Sequence, residues 1–177
     1  GTSAILNVCT ATSLGITQTC RDNTPIYGRI GDFVWLDIDG DGVQDGGAEA
    51  GIGGVTINLY VDLNGNGIID GADSIVATKV TNGSGGYLFT GVPAGTYVVD
   101  VATTNPSLAN LTLTTANDPK AVNLAGGEWR LDVDFGYRNL CVQTNGSAVV
   151  CTNGNECADP GTCQPATGLC SAPVPKA

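Results

Sequence analysis

Apolar and polar residues alternate along most of the chain between residues 30 and 137. The clearest segment runs from Val55 to Val61, where every second residue is apolar and the residues between are Thr, Asn and Tyr. A period of two is typical of a strand that buries one face. No window of eleven or more residues shows the period of an amphipathic helix. The pattern predicts an all-β fold.

Further strands are predicted by the same alternation, with turns rich in Gly and Asn between them. They lie at 30–36, 55–61, 74–80, 87–89, 97–101, 111–115, 122–124 and 129–137. In the last of these, one face is predicted to contain Trp129, Leu131, Val133, Phe135 and Tyr137. Seven to nine short strands with glycine-rich turns are typical of an antiparallel, Ig-like β-sandwich.

Composition divides the chain into three regions. Residues 1–27 form an N-terminal extension, residues 28–138 carry the alternating pattern, and residues 139–177 are rich in Cys, Asn, Gly, Thr and Pro. A domain of about 110 residues is long enough to bury a true core. We therefore expect one β-sandwich with an appendage at each end.

The N-terminal extension contains Ala4, Leu6 and Val8 at alternate positions, which predicts a short strand. We expect this strand to pack on its own domain, and the alternative is that it is lent to the open sheet edge of a neighbouring subunit. Cys9 and Cys20 bracket a polar stretch. Their simplest disulfide partner is each other, with the C-terminal cysteines as the alternative.

The charge of the chain excludes several functions. It has 17 acidic and 7 basic residues and no His, so its net charge is -10. Nucleic acid and anionic membrane surfaces both require Lys and Arg, and catalysis by Ser–His or Cys–His pairs requires His. No apolar run reaches the length of a membrane span. We expect a protein that is not an enzyme, does not bind nucleic acid and does not insert into membranes.

Eight of the acidic residues lie between residues 37 and 73, a segment without Lys or Arg. Carboxylates at this density repel one another and weigh against folding unless a positive charge offsets them. The eight residues are Asp37, Asp39, Asp41, Asp45, Glu49, Asp62, Asp70 and Asp73.

The second half of this segment matches a twelve-residue calcium-loop pattern. Such loops carry side-chain oxygens at alternate positions, a glycine at the sharp turn, a backbone carbonyl at position 7 and a closing carboxylate at position 12. The residues at positions 1, 3, 5, 6, 7, 9 and 12 are Asp62, Asn64, Asn66, Gly67, Ile68, Asp70 and Asp73.

The first half repeats the scheme with one irregularity. Positions 1, 3, 5, 6, 7 and 9 are Asp37, Asp39, Asp41, Gly42, Val43 and Asp45. Position 12 is Ala48, and the closing acid Glu49 comes one residue late. Oxygen ligands at this spacing favour Ca²⁺ over Mg²⁺. The alternative is that both segments are Gly/Asn/Asp turns between strands, since these residues also favour positive φ.

Four segments together resemble, in order and spacing, the calcium-binding B repeats of Sdr-type bacterial surface adhesins, within the larger Cna B-type group. They are GDFVWLDIDGDGVQD, GIGGVTINLY, GYLFTGVPAGTYVVDV and LDVDFGYR. The resemblance covers residues 30–138. It implies an Ig-like or transthyretin-like sandwich that is rigid when Ca²⁺ is bound and that serves as a stalk or spacer.

The resemblance also implies roles for individual residues. Asp37, Asp39, Asp41, Asp45 and the carbonyl of Val43 look like the family's first-loop ligands. Glu49 looks like its closing acid, although family members usually place that acid one residue earlier. The second loop is similar to longer family variants, and Asp132 and Asp134 match the family's DxDFG ending.

The C-terminal region contains Cys141, Cys151, Cys157, Cys163 and Cys170 but almost no residues that could form a core. We expect disulfide bonds to close its loops, each contributing typically ~2–4 kcal/mol. Seven cysteines are an odd number, so one must stay free or pair with another chain. Cysteine use and the calcium loops indicate a secreted, mature protein that is extracellular or at the cell surface.

Two functions are consistent with these features. The first is an extracellular structural protein, a calcium-rigidified module that acts as a stalk or as the self-assembling subunit of an appendage. Such a subunit would form a homo-oligomer or polymer through strand exchange or a disulfide bond. The second is an adhesive module that recognises a host protein or glycan, for which Trp35, Tyr60 and Trp129 are candidate contact residues.

Overall fold

The structure is a computed structural model that describes residues 4–45, 47, 49–102, 104–142, 148–152, 156–157, 161–164 and 169–170. Within these ranges lie fifteen strands and one 3₁₀ turn, Pro106–Leu108. The strands are β1 (Ala4–Ser13), β2 (Ile16–Pro25), β3 (Gly28–Leu36), β4 (Thr56–Val61), β5 (Ser74–Val80), β6 (Gly86–Val92), β7 (Gly95–Val101), β8 (Leu111–Leu113), β9 (Lys120–Leu124), β10 (Trp129–Arg130), β11 (Phe135–Val142), β12 (Ala148–Thr152), β13 (Glu156–Cys157), β14 (Gly161–Gln164) and β15 (Leu169–Cys170).

Strands β3 to β11 build two sheets. One sheet has the order β5-β4-β7-β9, and all its pairs are antiparallel. In the other sheet, β3 pairs with β6 antiparallel and with β10 and β11 parallel, and β8 pairs with β11 antiparallel. The all-β prediction is confirmed, and most pairs are antiparallel as predicted. The exceptions are these two parallel pairs and the parallel pair of β11 with β15.

The core lies between these two sheets, as the alternating pattern predicts. In β4, Ile57 and Leu59 are buried, while Thr56, Asn58 and Tyr60 on the other face are only half-buried. Both sheets contribute to one apolar cluster, which makes the body a β-sandwich. Its buried members include Ile30, Val34, Val55, Ile57, Leu59, Phe89, Val99, Leu124, Val133 and Phe135.

The predicted single strand at 129–137 is wrong, because the chain forms two strands there. Residue 129 pairs with residue 29 in β3, whereas residue 135 pairs with residue 34. The segment between therefore contains one residue more than β3 does opposite it. A shift of one residue moves side chains to the opposite face of a sheet. Consequently Val133, Phe135 and Tyr137 are buried, but Trp129 and Leu131 are exposed.

The N-terminal extension forms a hairpin rather than one short strand. Strands β1 and β2 pair along their full lengths as a separate two-stranded sheet, and the register sets Cys9 opposite Cys20. Cys9 is disulfide-bonded. The side chains described in this hairpin are exposed, among them Val8, Leu14 and Ile16. This part of the hairpin thus does not pack on the sandwich, contrary to the expectation.

The backbone of the C-terminal region includes the short strands β12 to β15. The predicted disulfide bonds of this region involve side chains that lie outside the described residues. The cysteines concerned are Cys141, Cys151, Cys157, Cys163 and Cys170.

The two acidic loops lie at opposite ends of the sandwich. The first loop follows the end of β3, where the N–H of Asp37 donates to the carbonyl of Tyr137. The second loop follows the end of β4, where the N–H of Asp62 donates to the carbonyl of Thr96. Thr96 is the second residue of β7, and its neighbour Gly95 pairs with Leu124. Gly28 at the start of β3 lies against Leu124, so β3 starts at this same end of the sandwich. Strand β4, about 20 Å long, spans the distance between the ends.

Two carboxyl groups are partly buried near the last strands. Burial raises the pKa of Asp118 to about 6, although the Val101 N–H donates to its Oδ1 at 2.9 Å. Burial and the charge of Asp32 raise the pKa of Asp134 to about 6, although the Phe33 N–H donates to its Oδ1 at 3.0 Å. Both groups therefore favour the protonated form in the folded protein more than in the unfolded chain.

We expect Asp118→Asn to reduce the pH dependence of stability between about pH 4 and pH 6.5. The unfolded pKa of Asp is about 3.9, so the folded protein binds protons first and its free energy of unfolding falls as pH rises through this window. Urea unfolding in EDTA at several pH values measures how steeply the free energy of unfolding changes with pH. As the control, Asp132→Asn removes a carboxyl whose pKa the hydrogen bond from Arg130 lowers. Its contribution to the pH dependence has the opposite sign and lies mainly below about pH 4, so this variant should keep the slope of the unmodified chain in the window. An unchanged slope in Asp118→Asn would contradict the assignment.

Candidate metal centres

The first loop is organised around Asp37, which is fully buried at the end of β3. Its Oδ1 accepts a hydrogen bond from the Gly40 N–H at 2.6 Å, and its Oδ2 accepts one from the Gly42 N–H at 2.9 Å. Both glycines have positive φ, 79° and 77°, a conformation that side chains disfavour. The glycines thus let the backbone turn its N–H groups towards one carboxylate.

The second loop repeats this arrangement around Asp62, which is buried at the end of β4. Its Oδ1 accepts from the Gly65 N–H at 2.7 Å, and its Oδ2 accepts from the Gly67 N–H at 2.8 Å. Gly65 and Gly67 also have positive φ, 70° and 73°. The donors occupy positions 4 and 6 in both loops.

Positions 3 and 5 of each loop form Asx turns, in which a side-chain oxygen accepts from the N–H two residues later. These turns keep the side chains on the inner side of the loop. The four bonds join Asp39 to Asp41 N at 3.3 Å, Asp41 to Val43 N at 2.7 Å, Asn64 to Asn66 N at 3.1 Å and Asn66 to Ile68 N at 2.8 Å.

Glu49 closes the first loop by accepting two backbone hydrogen bonds. Its Oε1 accepts from the Ile38 N–H and its Oε2 from the Asp45 N–H, both at 2.9 Å. These donors are positions 2 and 9 of the loop. The side chain is buried, so the carboxylate ties the start of the loop to its end.

Asp73 closes the second loop through the same two positions. Its Oδ1 accepts from the Leu63 N–H at 3.1 Å and its Oδ2 from the Asp70 N–H at 2.9 Å. Glu49 stands one residue later in its loop than Asp73 does, and its side chain is one methylene longer. The longer side chain thus compensates for the extra residue, and Glu49 occupies the place of a closing acid despite its late position. Ala48 lies outside the described residues.

The first loop gathers carboxylate oxygens at the spacing that a calcium ion requires. Asp37, Asp39 and Glu49 each offer an oxygen within 4.8 Å of the others, and so do Asp39, Asp41 and Asp45. Calcium–oxygen distances are about 2.3–2.6 Å, so oxygens on opposite sides of the ion are roughly 5 Å apart. The donor set consists of oxygen only, which fits a hard cation.

Hydrogen bonds keep the first carboxylate of this loop ionised. Burial by itself would raise the pKa of Asp37, but the N–H groups of Gly42 and Gly40, which donate to its two oxygens, help to lower it below the ordinary value. An ionised carboxylate is the form that binds a cation. The loop is therefore prepared for a positive ligand at neutral pH.

The second loop contains fewer charges and two amide ligands. The Nδ2 groups of Asn64 and Asn66 both donate to Asp70 Oδ2, at 2.9 and 3.0 Å. The N–H of Ala72, followed by these two amides, lowers the pKa of Asp70. Asp62 is buried, Asp73 is half-buried, and Asn64, Asn66, Ile68 and Asp70 are exposed.

Two residues far along the chain also shape the first loop. A Cβ atom on Gly40 would collide with the guanidinium group of Arg138, so that group lies directly on the loop. Gly42 faces the backbone of Thr114 across the loop. Sequence analysis missed both residues, and the only available signal was that Arg138 ends the last of the four family-like segments. The segment without Lys or Arg thus obtains a neighbouring positive charge from β11.

The structure brings together most of the predicted first-loop residues. Asp37, Asp39, Asp41, Asp45 and Glu49 supply the converging oxygens, and the exposed Val43 occupies the turn that follows Asp41. Asp132 and Asp134 lie elsewhere: Asp132 pairs with Arg130 at 2.8 Å, and Asp134 accepts from Phe33. The family-like DxDFG ending therefore does not join either loop.

Comparison with known proteins gives one family. A family model described as the SdrD B-like domain matches residues 28–137. Serine-aspartate repeat-containing protein F of Staphylococcus epidermidis is 36% identical over 119 residues, which are 64% of this chain and 7% of that protein. Serine-aspartate repeat-containing protein I of Staphylococcus saprophyticus is 42% identical over 76 residues, which are 43% of this chain and 3% of that protein. The chain thus spans less than a tenth of the length of these relatives.

A solved structure also resembles the chain. The minor pilin GBS52 of Streptococcus agalactiae is 15% identical, with a TM-score of 0.42, and the likeness covers 71% of this chain and 53% of that one. Within the part of the chain that the structure describes, no helix has the length and apolarity needed to cross a membrane.

We expect Glu49→Ala to lower the free energy of unfolding in EDTA by about 1–3 kcal/mol, because two backbone N–H groups lose their acceptor. Urea unfolding in the absence of divalent cations measures the change. Asp45→Ala is the matched control: Asp45 is exposed and its side chain accepts none of the loop bonds described above, so we expect a change within about 0.5 kcal/mol. Equal effects of the two substitutions would contradict the closing role of Glu49.

Proposed function

Because the chain belongs to the SdrD B-like domain family, we propose that it is a calcium-rigidified structural module, acting as a stalk or as the subunit of an appendage. Like the serine-aspartate repeat proteins that it resembles, it is an extracellular or cell-surface protein. The proposal concerns the sandwich and its two acidic loops.

The observation that carries this proposal is the common hydrogen-bond plan of the two loops. In each, a buried first aspartate accepts from positions 4 and 6, and a closing acid accepts from positions 2 and 9. An ordinary turn does not need a second carboxylate at its closing position. Two loops with the same hydrogen-bond plan and different sequences support one shared ligand, and Ca²⁺ fits the oxygen-only donor set.

The proposed ligands are those given by the loop positions. In the first loop they are Asp37, Asp39, Asp41, the carbonyl of Val43, Asp45 and Glu49. In the second they are Asp62, Asn64, Asn66, the carbonyl of Ile68, Asp70 and Asp73. In the second loop, the ion takes over the role of the two amide groups that now donate to Asp70.

The mechanical consequence follows from the positions of the loops. Each loop joins the end of a strand in one sheet to the rest of the sandwich, and the two loops lie at opposite ends of the body. A cation in each loop crosslinks the chain through several oxygens and removes the repulsion between its carboxylates. Both ends of the module are then stiff, as a stalk or filament subunit that must resist pulling forces requires.

We further propose that the chain assembles with copies of itself, through strand exchange or through a disulfide bond made by the odd cysteine. The exposed hairpin β1–β2 supports strand exchange. Disulfide bonds that close the loops of the C-terminal region are part of the same proposal. The absence of His and the use of the acids in loops support a structural rather than an enzymatic role.

Removal of calcium should lower the melting temperature markedly, because only the folded protein binds the ion tightly. We expect a metal count near two ions per chain, and Asp37→Asn and Asp62→Asn should each remove about one ion and part of the calcium-dependent shift. Differential scanning calorimetry in Ca²⁺ and in EDTA, together with elemental analysis, measures both quantities. Because the loops lie at opposite ends, the two losses should add.

The control for this experiment is Asp32→Asn, which removes an exposed carboxylate of β3 outside both loops. This variant should keep the full metal count and the full shift. Identical melting curves in Ca²⁺ and EDTA for the unmodified chain would refute the calcium proposal.

A second candidate function is adhesion, and one observation favours it. Of the three candidate aromatic residues, Trp35 is 3% exposed and Tyr60 is half-buried, but Trp129 is 59% exposed. The Arg29 guanidinium lies 4.2 Å from the centre of the Trp129 ring. Tyr27, two residues before Arg29 in the sequence, is also exposed. An exposed aromatic ring beside a cation is a common feature of recognition surfaces.

If this surface recognises a host protein or glycan, Trp129→Ala should abolish the binding, because the ring supplies the contact area. Glycan arrays and pull-down experiments with immobilised extracellular proteins measure it, and Ile75→Ala on the distant strand β5 is the control. A consistent lack of binding by the unmodified chain would eliminate adhesion and leave the structural role.

A further inference from the structure

Strand β5 is an uncovered edge of the four-stranded sheet. It pairs only with β4 in the described sheet, so its other side presents unpaired backbone N–H and C=O groups. Six of its seven residues are exposed, and Ile75, Val76 and Val80 are each more than half exposed. An exposed apolar edge of this kind is a template for pairing with another strand.

A cleft opens into the core beside this edge. It lies between β5 and the end of β6, where the two sheets separate, and its volume is about 570 Å³. Its apolar lining comes from both sheets and includes Val61, Val76, Phe89, Val92 and Tyr97. The sandwich is thus incompletely closed along this side, and an apolar side chain inserted there would contact core residues.

The charge of the cleft differs from that of the rest of the molecule. Its lining includes no acidic residue and one basic residue, Lys79, in a chain whose net charge is -10. Lys79 is exposed, so its ammonium group remains in water while its stem lines the cleft. A partner segment must therefore be apolar and free of excess positive charge.

The hairpin β1–β2 has the complementary properties. Its residues 4–25 include one basic and one acidic residue, Arg21 and Asp22, and β1 itself has no charge. The acidic sandwiches of two copies repel each other, whereas the hairpin of one copy has no net charge and can approach the sandwich of another. The sequence of β1 contains apolar residues at alternate positions, Leu6 and Val8 among them, and the side chain of Val8 is exposed. An isolated two-stranded hairpin is at best marginally stable in water, so pairing with a further strand would stabilise it.

We propose that β1 of one copy adds to the free edge of β5 in a second copy, with its apolar face over the cleft between β5 and β6. The four-stranded sheet then continues through β5 into β1 and β2 of the neighbour. Each copy has one hairpin and one free β5 edge, so the contact is head-to-tail and generates a linear polymer. This inference rests on the proposed role as a structural subunit and names the surfaces that assemble it.

Single substitutions on the two surfaces test the contact. Val76→Lys places a charge on the acceptor cleft, and Val8→Lys places one on the donor strand, so each should abolish assembly. Ile75→Lys is the control for the acceptor, because Ile75 and Val76 are 51% and 53% exposed on the same strand but only Val76 lines the cleft. Leu14→Lys, at the hairpin turn, is the control for the donor. All four substitutions change the net charge equally.

Sedimentation velocity and electron microscopy in Ca²⁺ measure the assemblies. The unmodified chain and both controls should form particles whose mass grows with concentration, and the Val76→Lys and Val8→Lys chains should stay monomeric. A mixture of these two variants should give one-to-one dimers and nothing larger, since the first supplies only β1 and the second only the β5 edge. The double variant should not pair with either.

Three results would overturn the inference. They are a monomeric unmodified chain at all concentrations, undiminished assembly of Val76→Lys, and failure of the variant mixture to form dimers. The calcium-dependent shift in melting temperature is measured on the same samples. Lost assembly with a normal calcium shift in the unmodified chain refutes only this contact, whereas normal assembly without a calcium shift refutes only the calcium proposal.

Discussion

Repulsion between clustered carboxylates is the constraint on which the rest of this structure depends. The chain gathers eight acids in 37 residues, and in the first loop it brings five of them into two overlapping groups. Backbone N–H groups satisfy the buried aspartates and the closing acids. At Asp37 these dipoles help to lower the pKa and so favour the ionised form without neutralising its charge. The loops are thus ordered by hydrogen bonds and still present the negative charge that the proposed cation would offset.

The two loops reach the same arrangement by different routes. Asp73 closes its loop from position 12, and Glu49 closes the other from one residue later. Spacing alone therefore identifies the second loop more readily than the first, although the first gathers more charge. What is preserved is the position of the carboxylate relative to the N–H groups of positions 2 and 9. In the first loop, the longer side chain of Glu49 compensates for the extra residue and keeps the carboxylate in this position.

The sandwich determines where the two loops, the free β5 edge and the hairpin lie relative to the sheets. Strand β4 separates the loops by the length of the body, so both ends are tied while the β5 side stays open. The exposed hairpin lies outside the sandwich and leaves its own apolar residues uncovered. If cations stiffen both ends as proposed, the module combines stiff ends, an open sheet edge and a hairpin without net charge, which together suit a linear assembly of identical subunits.

The sequence by itself determined the strands and the loops, because period-two alternation and the glycine spacing are local properties. The burial of Ile57 and Leu59 follows directly from that alternation, and the position of each acid in its loop follows from the spacing of the glycines and acids. Tertiary structure alone decided three things that depend on distant partners. These are the outward orientation of Trp129, which the extra residue opposite β3 causes, the contact of Arg138 with Gly40, and the location of the two loops at opposite ends of the sandwich. Register between strands far apart in the chain fixes all three, and no local pattern records it.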